Sequence, residues 1–310
     1  MLHHSRVSRI FDDDDIRSRL DAADAVRWMG EAIDAHHRGD LVAPSRVHAD
    51  LGAGRIVFTT GRLRGSWFGY RSYDTFPAEP GNQVVVVQDE ASGQVRGIAI
   101  GNELGPRRVG AIGAVAAEAL APRAARVAAV IGTGTQAQAQ LWALPVARQL
   151  SEVRVYSRDP ARREAFARLA RRLTSVPCHP APTARDAVTG AQIVILATSS
   201  PVPVIDTGWL EPGSYVSTLG PKQQGRAEFG PDLAAAAAVV ATDSLAQLDA
   251  YDPPNVLVGT PQRERLVSLG ALRAGQAGRP EPGEIRVFFS VGLAGTEAFL
   301  LDRLATSLSK

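Results

Sequence analysis

A single cysteine, Cys178, stands in a chain of 310 residues. That scarcity excludes an internal disulfide framework and any zinc site built from cysteines. Long hydrophobic runs are also missing. The longest, Leu233 to Ala241, is nine residues, against the ~20 that a bilayer-spanning helix needs. The opening stretch MLHHSRVSRIFDDDD lacks the apolar segment of a secretory signal. Neither sign of charge is in excess: 34 basic and 32 acidic residues leave +2. No basic cluster interleaves with aromatics, so nucleic acid is not an expected partner. These absences predict a cytoplasmic protein that acts on something small. Lysine is the last scarcity, with Lys222 and Lys310 the two among 34 basic residues. That bias draws attention to Lys222.

What is present is ordinary globular composition, 45% hydrophobic and 21% charged, with a mean hydropathy of -0.05. The length suits two domains at ~150 residues each. Residues 14–38 place Ile16, Leu20, Ala23, Val26 and Ile33 at helical spacing, with aspartates before the first turn and Gly39 after the last. A β-rich segment follows: Arg55 to Thr59, Trp67 to Phe76, Val84 to Val87, a turn at Asp89 to Gly93, and Val95 to Ile100. Residues 106–121 return to helix.

From Arg126 the pattern changes. Val127 to Ile131 is a continuous apolar run, the mark of a parallel strand buried on both faces. Strands at 153–157, near Val176, at 193–198, 214–219 and 239–242 then alternate with helices at 160–173 and 184–189. Such alternation predicts an α/β fold, a Rossmann-type doubly wound parallel sheet with right-handed crossovers. A last helix over Leu293–Leu308 lies beyond the alternation and is expected to pack on the first domain. The predicted organisation is 1–121 plus 291–310 as an α+β substrate-binding and dimerisation domain, around a dinucleotide-binding domain at 122–290.

Gly132-Thr133-Gly134-Thr135-Gln136-Ala137 is GxGxxA directly after a buried strand and opening a helix. The first glycine permits the tight turn, the second lets a pyrophosphate reach the backbone, and Ala137 allows helix and sheet to pack closely. The helix N-terminus favours the phosphate charge. The second strand ends at Ser157, 23 residues after Gly134, where an NAD enzyme carries Asp or Glu for the ribose hydroxyls. Here Ser157-Arg158 offers a hydroxyl and a guanidinium instead, which suit a 2′-phosphate. The reading is NADP(H) in preference to NAD(H), with Asp159 serving NAD as the alternative. Thr198, Ser199 and Ser200 close the strand across the switch point, where they either contact ribose or phosphate or cap the turn before Pro201.

Taken together, VIGTGTQAQAQ, VYSRDPARREAFA, GAQIVILATSSPVPVID, GWLEPGSYVSTLG and VFFSVGLAGTEAF resemble the ornithine cyclodeaminase/mu-crystallin family, in the family's order. The resemblance implies a homodimer whose first domain and C-terminal helix bind substrate around an inserted Rossmann domain. It implies NAD(P)-dependent hydride transfer at the α-carbon of an amino or imino acid. It adds Leu219 and Ser290 to the expected cofactor contacts. Arg108 matches a family arginine that holds the substrate carboxylate, and Arg46 matches a second one loosely. A guanidinium suits a carboxylate because its two parallel N–H bonds fix orientation. For either arginine, the plain alternative is a surface ion pair.

Two departures from the family pattern bear on the reaction. Arg71 replaces the family lysine on the strand before Phe76-Pro77, and arginine cannot act as a tunable acid or base; it can still hold a carboxylate. Lys222 stands where cyclodeaminases and alanine dehydrogenase carry a catalytic aspartate. A cation there repels the second ammonium of ornithine, by about 4 kcal/mol at ~4 Å and an effective dielectric near 20. Lys222 is instead a candidate proton donor, or else a solvated loop lysine. The six histidines (3, 4, 36, 37, 48 and 179) show no metal-ligand spacing. His48 reads as a polar strand residue, and Cys178-His179 as part of a proline-flanked loop. No GxSxG or P-loop motif is present.

The expectation is therefore an NADP(H)-dependent imine or ketimine reductase, or an amino-acid dehydrogenase. The alternatives are an ornithine cyclodeaminase forming proline, or a non-catalytic NADPH-binding protein of the crystallin type.

Overall fold

The computed structural model describes residues 9–76, 81–277 and 281–308. His3, His4, Pro77 and Lys310 lie outside the described residues. Two compact units divide the chain, Met1–Arg108 with Leu293–Lys310, and Val109–Gly292. The division falls inside a helix, Leu104–Leu120, where the sequence suggested a boundary after Ala121.

The first unit runs β1 (Arg9–Phe11), α1 (Asp13–Arg19), α2 (Ala22–Arg38), β2 (Leu41–Val42), β3 (Val47–Asp50), β4 (Arg55–Leu63), β5 (Trp67–Asp74), β6 (Gln83–Asp89) and β7 (Val95–Gly101). The start of α3 (Leu104–Leu120) follows, and the C-terminal helix (Thr296–Ser307) completes the unit. The single helix expected over 14–38 is two. Asp21 accepts a hydrogen bond from the Asp24 backbone N–H, and that side-chain cap starts a new helix where periodicity alone continues the old one. Gly39, at φ 81°, closes α2 in the left-handed conformation.

The sheet order is β1-β7-β6-β5-β4-β2, with β3 also paired to β4. β1 is parallel to β7 and the remaining pairs are antiparallel. The C-terminal helix packs on α2 and on β4 to β7. Phe299 meets Trp67 edge to face at 6.1 Å, and Asp302 accepts from Arg96 at 2.9 Å. The helix begins at Thr296, later than the expected Leu293. Gly295 precedes it at φ 76° and approaches Gly61 so closely that a Cβ on either glycine would overlap the other's Cα. This contact fixes where the helix starts.

The second unit continues with β8 (Val127–Ile131), α4 (Thr135–Ala147), β9 (Glu152–Tyr156), α5 (Pro160–Thr174), β10 (Cys178–Pro180), α6 (Ala184–Val188), β11 (Ile193–Leu196), β12 (Tyr215–Thr218), β13 (Lys222–Gln223) and β14 (Arg226–Ala227). It ends with α7 (Pro231–Ala236), β15 (Ala237–Thr242), α8 (Leu245–Asp249), α9 (Pro261–Glu264), β16 (Leu266–Ser268), α10 (Leu269–Arg273) and β17 (Ile285–Phe289). Eight parallel strands form one sheet, ordered β10-β9-β8-β11-β12-β17-β15-β16. The α/β expectation holds. The order reverses between β8 and β11, the topological switch point at which such sheets bind ligands.

One assignment is corrected, and one strand that the sequence did not reveal is added. Cys178-His179 belongs to edge strand β10 and not to a loop; Cys178 is buried there, and burial pushes its thiol up. β17 lies in the middle of the sheet although its run, IRVFF, carries an arginine. Arg286 is buried by donating to the carbonyls of Gly213 and Glu281 at 2.8 and 3.0 Å.

Candidate active site

In the second unit a cleft of about 730 Å³ opens at the carboxyl ends of β8, β9 and β11. Gly132, Thr133, Gly134, Thr135, Gln136, Ser157, Arg158, Thr198 and Ser199 line it. Gly132 has φ 115°, and a Cβ there would overlap the Ala197 carbonyl, so this turn demands glycine. At Gly134 a Cβ would meet nothing within 4 Å, leaving the backbone open to a diphosphate at the start of α4. Gln136 Oε1 is buried without a hydrogen-bond partner among the described residues. These features fit a dinucleotide. Leu219 and Ser290 are not in the lining: Leu219 donates its N–H to Leu196 and Glu228, and Ser290 donates its own to Thr218.

After β9, at the lip of the cleft, Arg158 is exposed. Asp159 is the N-cap of α5: its Oδ1 accepts from the N–H groups of Ala161 and Arg162 at 2.9 and 3.2 Å. Arg162, four residues after Arg158, also lines the cleft; its Nε lies 3.6 Å from Asp159 Oδ2. Tyr156 joins the lining under the guanidinium of Arg163.

Glu228 holds the loops after β11 and β12 together. Its Oε2 accepts from the N–H and hydroxyl of Thr198 at 2.9 and 2.8 Å, and its Oε1 from the N–H groups of Leu219 and Gly220 at 3.1 and 2.5 Å. Burial pushes this carboxyl above the usual glutamate value, against those hydrogen bonds and the charge of Lys222. Lys222 is 2% exposed, which overturns the solvated-loop reading. It sits in β13 and donates from Nζ to the Gly220 carbonyl at 2.6 Å. Ser200 donates to the Val202 carbonyl at 2.7 Å and so caps the turn. Ser199 stays exposed in the cleft.

In the first unit the expected arginines come together through Tyr73 and a residue that the sequence did not single out. Arg71, on β5, donates from Nε to Gln83 at 2.9 Å and from Nη1 to Glu297 Oε1 at 2.8 Å. Its guanidinium lies 4.3 Å from the Tyr73 ring centroid. Arg108, in the second turn of α3, donates from Nη2 to the same Oε1. Both are ion pairs, and Arg108 and Glu297 are buried. Burial opposes charge on Glu297, but Arg108 and Arg71 outweigh it and hold the carboxyl down to about 2. Arg46 reaches the Tyr73 hydroxyl at 3.5 Å, while His48 is exposed on β3.

The profile described as "Ornithine cyclodeaminase/mu-crystallin family" matches residues 72–302. The chain belongs to that family. A Δ1-pyrroline-2-carboxylate reductase of Bacillus cereus is 30% identical over 222 residues, which are 69% of this chain and 67% of that protein. The chain spans about half the length of two further curated relatives, at 37% and 34% identity over 167 residues. A Δ1-pyrroline-2-carboxylate reductase of Thermococcus litoralis, solved with NADH and L-proline, superposes with a TM-score of 0.87 at 21% identity, over 97% of this chain and 98% of that one. An archaeal alanine dehydrogenase dimer with bound NAD gives a TM-score of 0.86 at 22% identity, over 98% and 97%. At these identities the two structures establish the family's fold for this chain.

Within the family frame, the residues the sequence reading missed are Glu297, Glu228 and Arg162. Arg162 was legible in the first turn of the arginine-rich helix that follows Arg158. The two glutamates were not, because each matters through a partner brought near by folding. Among the described residues no cluster of His, Cys, Asp or Glu could hold a metal, and no helix is long and apolar enough to cross a membrane.

Proposed function

We propose that this family member is an NADP(H)-dependent oxidoreductase that moves a hydride at the α-carbon of a small amino or imino acid. The observation that carries the reading is the pair of guanidiniums, Arg71 and Arg108, sharing one buried carboxylate. Two positive charges and one negative leave +1, a site for the carboxylate of an α-imino or α-amino acid. A bound nicotinamide supplies or accepts the hydride. Arg108 and Arg71 orient the carboxylate; Lys222 is the candidate proton donor, through Nζ. Gly132, Thr133, Gly134, Thr135 and Gln136 receive the diphosphate side of the cofactor. Arg158 and Arg162 favour a 2′-phosphate, since Asp159 is engaged as a helix cap and the cleft lip carries two cations.

The reading is tested by NADPH oxidation against a panel of cyclic ketimines and of α-keto acids with amines. The expected outcome is turnover of at least one monocarboxylic imine, with Lys222→Ala losing kcat while its NADPH affinity is kept. Full activity in Lys222→Ala removes Lys222 from the chemistry. Conversion of ornithine to proline and ammonia without net NADPH change would replace the reading with a cyclodeaminase. The hydrogen bond from Lys222 to Gly220 favours one second reading, a dinucleotide-binding protein without turnover; tight NADPH binding with no active panel member would establish it. We also infer a homodimer through the first unit, where Ile10, Val47, Leu51, Phe68 and Ile100 leave apolar surface exposed. Light scattering at the mass of one chain would refute it.

A further inference from the structure

Glu297 is the second residue of the C-terminal helix, where the N–H-rich first turn favours a negative charge. It cannot withdraw, because the contact between Gly61 and Gly295 fixes the start of that helix. On the far side Arg71 is pinned by Gln83 and by the Tyr73 ring. One carboxylate oxygen thus clamps two guanidiniums and leaves part of each unused. Arg108 Nε is buried with no hydrogen-bond partner among the described residues. A buried N–H of a cation left unpaired is costly and calls for an acceptor.

We propose that Glu297 sets how many carboxylates the substrate carries. By cancelling one of the charges of Arg71 and Arg108 it leaves that pair with +1, which balances a single ligand carboxylate, while Arg46 stands off at the Tyr73 hydroxyl, 3.5 Å away. By tying Arg71 to Arg108 it leaves the remaining N–H donors of both arginines for that one group. The site therefore selects monocarboxylic imino acids over dicarboxylic ones. This rests on the reading that Arg71 and Arg108 receive the substrate carboxylate. Glu297 acts through the arginines, as a positioning and specificity residue.

The test is calorimetric titration of the full chain saturated with NADP+, using pyrrole-2-carboxylate and pyrrole-2,5-dicarboxylate as probes. The wild type is expected to bind the monocarboxylate more tightly. Glu297→Gln keeps the shape and removes the charge, so the ratio of the two affinities shifts about tenfold or more toward the dicarboxylate. A purely structural role would lower both affinities together and leave the ratio alone. Glu297→Asp keeps the charge and is expected to keep the wild-type preference. Should Glu297→Gln fail to fold, the wild type and Glu297→Asp decide, and a preference of either for the dicarboxylate overturns the proposal. An unchanged ratio in folded Glu297→Gln overturns it as well. If the wild type binds neither probe, the arginine reading itself fails and this inference falls with it.

Discussion

Replacing Glu228 with glutamine changes one atom and removes one charge, yet its consequence can be worked out from four distances. The carboxylate accepts from Thr198 N and Oγ1, Leu219 N and Gly220 N, all between 2.5 and 3.1 Å. An amide offers one oxygen and one NH2. Turned toward Leu219 and Gly220, the NH2 would face two backbone donors that cannot adapt. Turned toward Thr198, it faces one backbone donor and a hydroxyl that can rotate to accept. The second orientation wins, so one charge-assisted bond is lost outright and the others weaken to neutral strength. Four bonds to a charged group at ~1.5–3 kcal/mol each become three neutral ones near 1, a loss of about 3–9 kcal/mol; relief of the burial cost that pushes this carboxyl up offsets part of it and leaves about 2–4 kcal/mol. Against a total of ~5–15 kcal/mol this is large. At roughly 2–4 °C per kcal/mol, the melting temperature of Glu228→Gln should fall by about 5–15 °C. Because Thr198 lines the cleft, the same variant should bind NADPH more weakly. Thermal unfolding by circular dichroism at pH 7, with and without NADPH, reads both effects. A variant that melts within about 2 °C of the wild type and binds NADPH equally well would refute the assignment of Glu228 as the tie between the two loops.

Other outcomes follow from the same geometry. Glu297, held to about 2 by Arg108 and Arg71, has a folded pKa below its unfolded one. Its contribution of about 3 kcal/mol is present above pH ~4.5 and is lost as pH falls toward 2. Urea midpoints measured from pH 6 to 2.5 should fall more steeply for the wild type than for Glu297→Gln, and equal slopes would refute it. Arg158→Ala should raise the Kd for NADPH about tenfold, a modest effect for an exposed charge-assisted contact, and leave NADH unchanged. An equal loss for both cofactors would show that Arg158 does not read a 2′-phosphate. Gly132→Ala forces a side chain onto a positive-φ position against the Ala197 carbonyl, so soluble yield and NADPH binding should both collapse; a wild-type melting curve would contradict this.

The second unit was legible where its signals were local. The buried run before Gly132, the glycine loop and the strand ending at Ser157 are contiguous features whose spacing carries the chemistry. The strand at Ile285–Phe289 was not legible as a strand, because an arginine interrupts its apolar run and the groups that satisfy Arg286 lie at Gly213 and Glu281. The break between α1 and α2 escaped a periodicity argument because Asp21 acts through one side-chain hydrogen bond and not through pattern. At the arginine site, Arg71 and Arg108 could be named from their surroundings in the sequence. Their common partner could not, because Glu297 is 226 residues from one and 189 from the other.

The two departures from the family pattern share a physical feature. A guanidinium or ammonium buried alone is costly, and removing the anionic partner of a buried pair typically destabilises by several kcal/mol. Arg71 and Lys222 are each placed near a buried carboxylate, Glu297 in the first case and Glu228 in the second. The carboxylates differ in what else they do. Glu228 has all its acceptor capacity engaged by Thr198, Leu219 and Gly220, so its charge mainly organises backbone. Glu297 directs one oxygen at two arginines and leaves guanidinium donors over. A carboxylate that saturates its neighbours builds structure; one that leaves cationic N–H groups unmet builds a binding site. On that criterion we propose recognition as the role of the arginine at position 71. Lys222, whose ammonium already donates to Gly220, takes part in proton transfer if that bond yields to substrate, and a kcat loss in Lys222→Ala at unchanged NADPH affinity is the signature that separates the two roles.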